Sequence, residues 1–231
     1  MSVAGHPFDF RESPLFAGLP SSDMTRIGDL ARLEDVDAGA VIVSQAEPSA
    51  EACVVLAGTL KVYVEQPDGS DVVLAVVGPG EVVGELNLID HRGRSANVVA
   101  LERSRLLWLD EGSFRACLKS MPQLTENVLA LLARRLRLAN AQVQALATLD
   151  IQCRIAHQLL ALADAYGESD ASGDVHIRLQ LTDADLAGMV GASQAKVRQV
   201  LAGLDRNGLL SLGGGSWITL HDRPALGRLC P

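Results

Sequence analysis

One stretch of this sequence, residues 122–149, constrains the fold more than any other. Its apolar residues recur at alternating spacings of three and four, which places them on one stripe of a long helix. These residues are Leu129, Leu132, Leu136, Ala139, Val143 and Leu146. A stripe this narrow predicts a coiled-coil seam, and no second long helix in the sequence matches it. We therefore expect the same helix of a second copy as its partner, giving a homodimer. The alternative is an amphipathic helix that packs on its own domain.

Length and composition set outer limits. The chain has 231 residues, enough for two domains. No run approaches the roughly 18 to 20 apolar residues of a membrane span, and the first residues lack the basic flank and apolar core of a signal peptide. We therefore expect a cytoplasmic protein with no membrane partner. The four cysteines, Cys53, Cys117, Cys153 and Cys230, form no CxxC motif. This spacing disfavours zinc and iron–sulfur sites and predicts buried small side chains.

The formal net charge of −8 is unevenly distributed. Residues 151–231 carry 7 Lys and Arg against 8 Asp and Glu, whereas residues 1–150 carry 13 against 20. The acidic excess therefore belongs mostly to the first part. Overall charge neither supports nor excludes DNA binding, because local basic groups decide whether a surface meets phosphates.

The hydrophobic period changes along the chain. A short helix capped by a serine is predicted at residues 21–33, followed over residues 40–110 by valine-rich strands with turns at 57–58, 67–69 and 78–80. This rhythm predicts a small β-sandwich or barrel. Asp110 and Asp150 are candidate N-caps for later helices, the second running from Ile151 to Tyr166. Residues 167–174 read as a solvated loop.

A polar excursion, VVGELNLIDHRGRSANVV, interrupts the valine-rich strands. Gly84, Glu85 and Leu86 could open a helical turn with free amides, and Arg94 and Ser95 follow a turn. Amides, a guanidinium and a hydroxyl suit a phosphate, and a carboxylate can accept hydrogen bonds from ribose hydroxyls. Taken alone, the same residues could form a surface ion pair between Glu85 and Arg94.

The second informative stretch is residues 181–220. Thr182 with Asp185 resembles a capping box, Gly191 permits a tight turn, and Ser193 can cap the next helix. Two short helices around a glycine turn make a helix-turn-helix, and the segment after them, with a tip at residues 213–215, suits a β-hairpin wing. The alternative is a helical bundle with a solvated polar face. The candidate DNA-binding residues are Thr182, Ser193, Gln194, Ala195, Lys196, Arg198 and Gln199.

Both stretches, joined by the long helix, resemble the CRP/FNR family of transcription regulators. The most specific segments are GEL at 84–86, RSA at 94–96, ARRL at 133–136, LDIQCRIAHQLL at 149–160 and LTDADLAGMVGASQAKVRQVLAGLDRNGLL at 181–210. The resemblance implies an α+β protein with three parts: a β jelly-roll sensor of the cyclic-nucleotide-binding type (residues 1–120), a dimerisation helix (121–149) and a winged helix-turn-helix (150–231). It further implies that Glu85 contacts a ribose, that Arg94, Ser95 and the amides of Gly84 to Leu86 hold a cyclic phosphate, and that the homodimer binds DNA and contacts RNA polymerase.

Some residues depart from the family pattern. Ala139 and Asn140 stand where the cyclic AMP receptor protein has a threonine and a serine that touch the adenine, and alanine cannot make that hydrogen bond. Cyclic AMP stays the first candidate effector, with another nucleotide or no ligand as alternatives, and no resident cofactor is assigned. Gln194 and Ala195 replace the usual arginine and glutamate of the recognition helix. A half-site of the TGTGA type is therefore not expected.

Other functions are weighed against this hypothesis. The five histidines are isolated, which disfavours haem and metal-dependent jelly-roll chemistry, and neither a P-loop nor a nucleophile elbow appears, so an enzyme is not expected. Three hypotheses stay open: a DNA-binding regulator modulated by a nucleotide, a constitutively active regulator without an effector, and a nucleotide-sensing module that binds no DNA.

Overall fold

The computed structural model describes residues 13–46, 50–177, 179, 181–213 and 217–230. Two compact units divide the chain: residues 1–63 with 75–138, and residues 64–74 with 139–231. The tip predicted at residues 213–215 lies mostly outside the described residues.

The N-terminal part of the chain is a β-sandwich with helices, and all of it except residues 64–74 belongs to the first unit. After a 3-10 turn at Pro14–Phe16, helix α1 runs over Ser21–Leu30. Pro20 is its N-cap and provides no side-chain hydrogen bond, so the predicted serine cap is wrong: Ser21 is already the first helical residue. The strands that follow are β1 (Arg32–Val36), β2 (Val41–Val43), β3 (Glu51–Ala57), β4 (Leu60–Glu65), β5 (Asp71–Val77), β6 (Val82–Val83), β7 (Asn97–Ala100) and β8 (Ser104–Asp110), with helix α2 (Glu85–Asp90) between β6 and β7.

The eight strands form two four-stranded sheets, ordered β1-β8-β3-β6 and β2-β7-β4-β5. Strand β3 is buried on both faces, which explains its continuous apolar run. Cys53 and Val55 face the core between the sheets, while Val54 and Leu56 face a second core beneath the helices. The predicted sandwich is confirmed.

Helix α3 runs over Glu111–Ser120, with the side chain of Asp110 accepting from the amide of Ser113 as predicted. Helix α4 spans Pro122–Thr148 and confirms the predicted long helix. In its first half Leu124, Val128 and Leu131 are buried in the core beneath the helices.

The second unit contains the remaining elements. Helix α5 covers Ile151–Tyr166 with Asp150 as its N-cap, as predicted. Strands β9 (Gly167–Ser169) and β10 (Val175–Ile177), helices α6 (Asp183–Val190) and α7 (Gln194–Arg206), strands β11 (Leu210–Gly213) and β12 (Trp217–Leu220) and helix α8 (Arg223–Gly227) follow.

The wing is larger than a hairpin. Its sheet has the order β11-β12-β10-β9, so two strands from before the helix pair complete it. Residues 167–169, predicted as part of a loop, form β9 and pair with β10. The prediction for these residues was wrong because three residues with one glycine and no alternation carry no strand signal of their own.

The cysteines divide into two kinds. Cys53 and Cys117 are free and fully buried, as expected of small apolar side chains. Cys153 and Cys230 instead form a disulfide between residues 77 positions apart. The expectation of buried small side chains holds for Cys153 but not for Cys230, which is only partly buried. It did not include the bond, since a sequence does not reveal which distant thiols the fold brings together.

Candidate nucleotide and DNA interfaces

A tight glycine-led turn shapes the polar excursion of the first unit. Gly84 has a φ of 87°, a backbone conformation that disfavours any side chain, and it precedes α2 directly. A Cβ built on Gly84 would collide with Nη1 of Arg94 and would lie 2.7 Å from the carbonyl oxygen of Glu51. The glycine therefore lets the Arg94 guanidinium approach the backbone at the start of α2.

Arg94 is the least satisfied charged group of this region. Its Nη1 donates to the carbonyl of Gly84 at 3.3 Å. Its Nε and Nη2 are buried and have no hydrogen-bond partner among the described residues. Burial lowers the pKa of the guanidinium, because it withdraws water from the charged form, while nearby Cys53, Glu51 and Glu85 act in the opposite direction. A guanidinium with two buried, partnerless nitrogens is suited to an anion with several oxygens, such as a phosphate.

Glu85 lies in the first turn of α2 and is only 3% exposed. Its Oε1 accepts from Nη1 of Arg135 on α4 at 2.5 Å. Nη2 of Arg135 also donates to the carbonyl of Val82. Arg94 is not the ion-pair partner of Glu85, so the surface pair considered as an alternative does not form. A carboxylate held this way keeps a second oxygen for a hydroxyl donor.

Arg135 was not among the sequence-derived candidates. The helix carries Arg134, Arg135 and Arg137 on neighbouring faces, and periodicity alone cannot tell which of them turns inward. Arg134 pairs with Glu81 at 2.6 Å and stays half exposed. The segment ARRL at 133–136, which carries part of the family resemblance, is the helix turn that contains Arg135.

The other candidate ligand residues are exposed. Leu86 is the second residue of α2, and Ser95 lies two residues before β7. The carbonyl of Ser95 accepts from the Gln45 side-chain amide at 3.0 Å. Ala139 and Asn140 are also exposed on α4, with Ala139 one helical turn beyond Arg135.

The helix pair of the second unit is built from the predicted caps. Thr182 and Asp185 form a reciprocal capping box at the start of α6, and Gly191 ends that helix with a φ of 62°. The hydroxyl of Ser193 accepts from the amide of Lys196 and caps α7. The side-chain hydroxyls of Thr182 and Ser193 therefore accept hydrogen bonds from backbone amides of the helices that they cap.

Helix α7 has a buried and an exposed face. Val197, Leu201 and Leu204 are buried, whereas the residues of this helix predicted to meet DNA are all exposed: Gln194, Ala195, Lys196, Arg198 and Gln199. Nε of Arg198 is 2.5 Å from Oδ2 of Asp183 on α6, and Nζ of Lys196 donates to Gln199 at 3.1 Å. A polar, donor-rich face on the second helix is the arrangement that reads base edges in a major groove.

The stripe of α4 is uncovered in the single chain. Leu129, Leu136 and Val143 are 62%, 63% and 66% exposed. Large apolar side chains seldom stay this exposed on one helix face unless another surface covers them.

The described residues include no group of three or more His, Cys, Asp or Glu side chains that could hold a metal ion. No helix among them combines the length and the apolar character that crossing a membrane requires.

The fold and these two regions define a class: a jelly-roll sensor of the cyclic-nucleotide type together with a winged helix-turn-helix. Residues 33–121 match the family model of the cyclic nucleotide-binding domain, and residues 153–229 match that of the Crp-like helix-turn-helix domain.

Relatives of known function agree with this class. The chain is 28% identical over 214 residues to a CRP-like cAMP-activated global transcriptional regulator of Mycobacterium tuberculosis, covering 93% of this chain and 95% of that one. It is 31% identical to the cyclic AMP receptor protein of Thermus thermophilus, covering 88% and 91%. The solved structure of a CRP/FNR family transcriptional regulator, also from Thermus thermophilus, matches with a TM-score of 0.72 at 28% identity, covering 86% and 97%. The chain belongs to the CRP/FNR family of transcription regulators.

Proposed function

We propose that this regulator acts as a homodimer whose sequence-specific DNA binding is set by a cyclic nucleotide, with cyclic AMP the first candidate. In this proposal residues 1–120 sense the nucleotide, residues 121–149 form the dimer helix and residues 150–231 read DNA. The protein works in the cytoplasm, where its DNA is, and contacts RNA polymerase at promoters. It performs no catalysis.

The partnerless guanidinium of Arg94 is the observation that carries the sensor assignment. Leaving a buried guanidinium unsatisfied costs free energy in the unliganded protein, and an anion would recover that cost. A cyclic phosphate supplies the anion, and the adjoining ribose hydroxyl supplies a donor for the free oxygen of Glu85. Gly84, Leu86 and Ser95 adjoin this position and complete the proposed ribose–phosphate subsite. A relative named as cAMP-activated supports this nucleotide as the first candidate.

The adenine end is proposed to be weaker. Ala139 offers no hydroxyl to a base, and Asn140 offers an amide instead. We therefore expect cyclic AMP to bind with less discrimination between bases than a site with two hydroxyls would give.

The exposed stripe of α4 supports the dimer. Leu129, Leu136 and Val143 recur at heptad spacing, and a second copy of α4 would cover all three. A two-fold dimer would present its two α7 helices to half-sites about 34 Å apart on DNA. Thr182 and Ser193 are proposed to approach the phosphates, while the exposed face of α7 contacts the bases.

The proposal is tested with calorimetry and unbiased selection of DNA sites on the purified protein. We expect heat on titration with cAMP or cGMP, a dimer in sedimentation, and recovery of a palindromic site whose affinity rises with the nucleotide. Absence of any selected site, with and without nucleotide, would refute the DNA-binding function.

A second candidate is a regulator that needs no effector. It is favoured by one observation: Arg135 already neutralises Glu85, so part of the pocket is satisfied without a ligand. Selected DNA sites bound equally with and without nucleotide, and no heat at millimolar cAMP or cGMP, would favour this candidate. A module that senses nucleotides but binds no DNA would give heat on nucleotide titration and no selected DNA site.

A further inference from the structure

The disulfide between Cys153 and Cys230 lies in the DNA-binding unit, where neither the nucleotide nor the DNA contacts use it. The two Cα atoms are 5.1 Å apart, within the range that a disulfide requires. Cys153 belongs to the first turn of α5, and Cys230 follows α8. The bond therefore closes a loop that contains α6, α7 and the wing sheet.

Helix α5 is the helix against which the winged helix-turn-helix packs. It packs against α6, α7, α8 and β10. Its buried face includes Ile155, Ala156 and Leu159, none more than 1% exposed. A bond that fixes α5 to the rest of the unit therefore stabilises the packing that positions α7.

Noncovalent contacts also hold the segment after the wing: the amide of His221 donates to the carbonyl of Leu209, and Nδ1 of His221 lies 2.7 Å from Oδ2 of Asp174. Leu226 is fully buried, and Arg223 forms an ion pair with Asp164 of α5. The Asp164 side chain is 68% exposed, and ion pairs in such surroundings contribute little to stability. The Cys153–Cys230 bond is thus the strongest single attachment of this segment to α5 among the described contacts.

The two sulfur positions differ in access. Cys153 is 1% exposed, whereas Cys230 is only partly buried. A small thiol or peroxide would therefore reach Cys230 first. The other two cysteines provide a contrast, because burial raises the pKa of the Cys53 and Cys117 thiols and so disfavours the reactive thiolate.

We propose that Cys153 and Cys230 form a reversible redox site that responds to peroxide and to small thiols and that sets the stability of the DNA-binding unit. Hydrogen peroxide oxidises the Cys230 thiol to a sulfenic acid and leaves as water. The Cys153 sulfur then attacks Cys230, forming the disulfide and releasing a second water. In the reverse direction a thiolate attacks Cys230 and Cys153 leaves. A second thiol then frees Cys230, so that two small thiols become one small disulfide.

The redox chemistry is tested on the full-length protein by trapping free thiols with an alkylating reagent and locating them by peptide mass spectrometry. We expect peroxide to protect Cys153 and Cys230 together, and millimolar glutathione to return both to the alkylated form. Cys53 and Cys117 should not change between the two states. Failure of the pair to form with peroxide, or resistance of the formed bond to glutathione, would overturn the proposal.

The effect of the disulfide on the stability of the DNA-binding unit is measured by calorimetric unfolding. Because the crosslink closes a long loop, reduction should lower the Tm of the DNA-binding unit by roughly 10 °C or more. The temperature at which DNA binding is lost should fall with it, while nucleotide binding at 25 °C stays unchanged. An equal Tm in both redox states would contradict the proposed role.

Matched variants separate the bond from the side chains. Cys230→Ser changes the more accessible partner, and Cys153→Ala changes the buried one with little loss of volume. Each single variant should have the Tm of the reduced wild type, and its Tm should change neither with peroxide nor with glutathione. The Tm of the double variant should differ little from that of either single variant. A variant that still gains stability with peroxide would show that another group is responsible.

Discussion

Arg94 and Arg198 lie in different units and are satisfied in opposite ways. Arg94 is partly buried and has two buried nitrogens without a partner among the described residues, whereas Arg198 has a side chain 62% exposed and an ion pair with Asp183. The first arrangement costs stability in the unliganded chain, since water has been removed without a replacement. The exposed ion pair of Arg198 changes the free energy of unfolding very little in either direction.

The difference indicates two modes of recognition. A buried cation held against the backbone at Gly84 is fixed before any ligand arrives, so little ordering is needed on binding. A surface arginine can exchange one carboxylate for a base or phosphate at small cost, which suits a helix that scans many DNA sites. Four substitutions test this comparison.

Arg94→Gln should have the largest effect. It removes several charge-assisted hydrogen bonds to the phosphate, and we expect the cyclic nucleotide affinity measured by calorimetry to fall by at least about a hundredfold. The Tm of the unliganded protein should stay the same or rise, because a partnerless buried charge disappears. Arg92→Gln, at an exposed position two residues earlier, is the control and should bind as the wild type does. An unchanged nucleotide affinity in the Arg94 variant would show that Arg94 does not bind the phosphate.

Arg198→Ala comes next. Loss of a base contact should weaken binding to the selected DNA site about thirtyfold, since a good pair discriminates by ~1 to 3 kcal/mol. Fluorescence anisotropy measures this affinity, and calorimetry should show nucleotide binding unaffected. Arg206→Ala, in the last turn of α7, is the matched control. If both variants bind DNA equally well, the exposed face of α7 is not the reading surface.

The sequence predicted much of this architecture and less of the site. The caps at Asp110, Asp150, Thr182 and Ser193 were predicted correctly because each acts on amides within three residues. Strand β9 and the disulfide were missed because each depends on a partner brought close by the fold. The unsatisfied state of Arg94 is likewise a property of packing, which no local pattern encodes.

Glu85→Gln should give an intermediate effect that differs in kind from that of Arg94. The amide still accepts from a ribose hydroxyl but loses its charge, so we expect nucleotide affinity to fall about tenfold. Here the Tm of the unliganded protein should also fall, because Arg135 loses its buried partner. Glu81→Gln provides the control, since its pair with Arg134 is more exposed and should matter little to either quantity. A Glu85 variant with normal Tm would show that the Arg135 pair does not stabilise the fold.

Asp183→Asn should have the smallest effect, in the opposite direction. The substitution keeps the size of the side chain but releases Arg198 and removes a negative charge near the proposed DNA surface. Because an exposed ion pair is worth ~0 to 1 kcal/mol, DNA affinity should rise by only about twofold at low salt, and the gain should shrink as salt screens both charges. Asp205→Asn, exposed near the end of α7, removes the same charge without freeing an arginine. The Asp183→Asn gain should disappear when Arg198 is also alanine. If the gain persists in that double variant, the ion pair is not its origin, and Arg198 is not the exchangeable cation that the contrast with Arg94 requires.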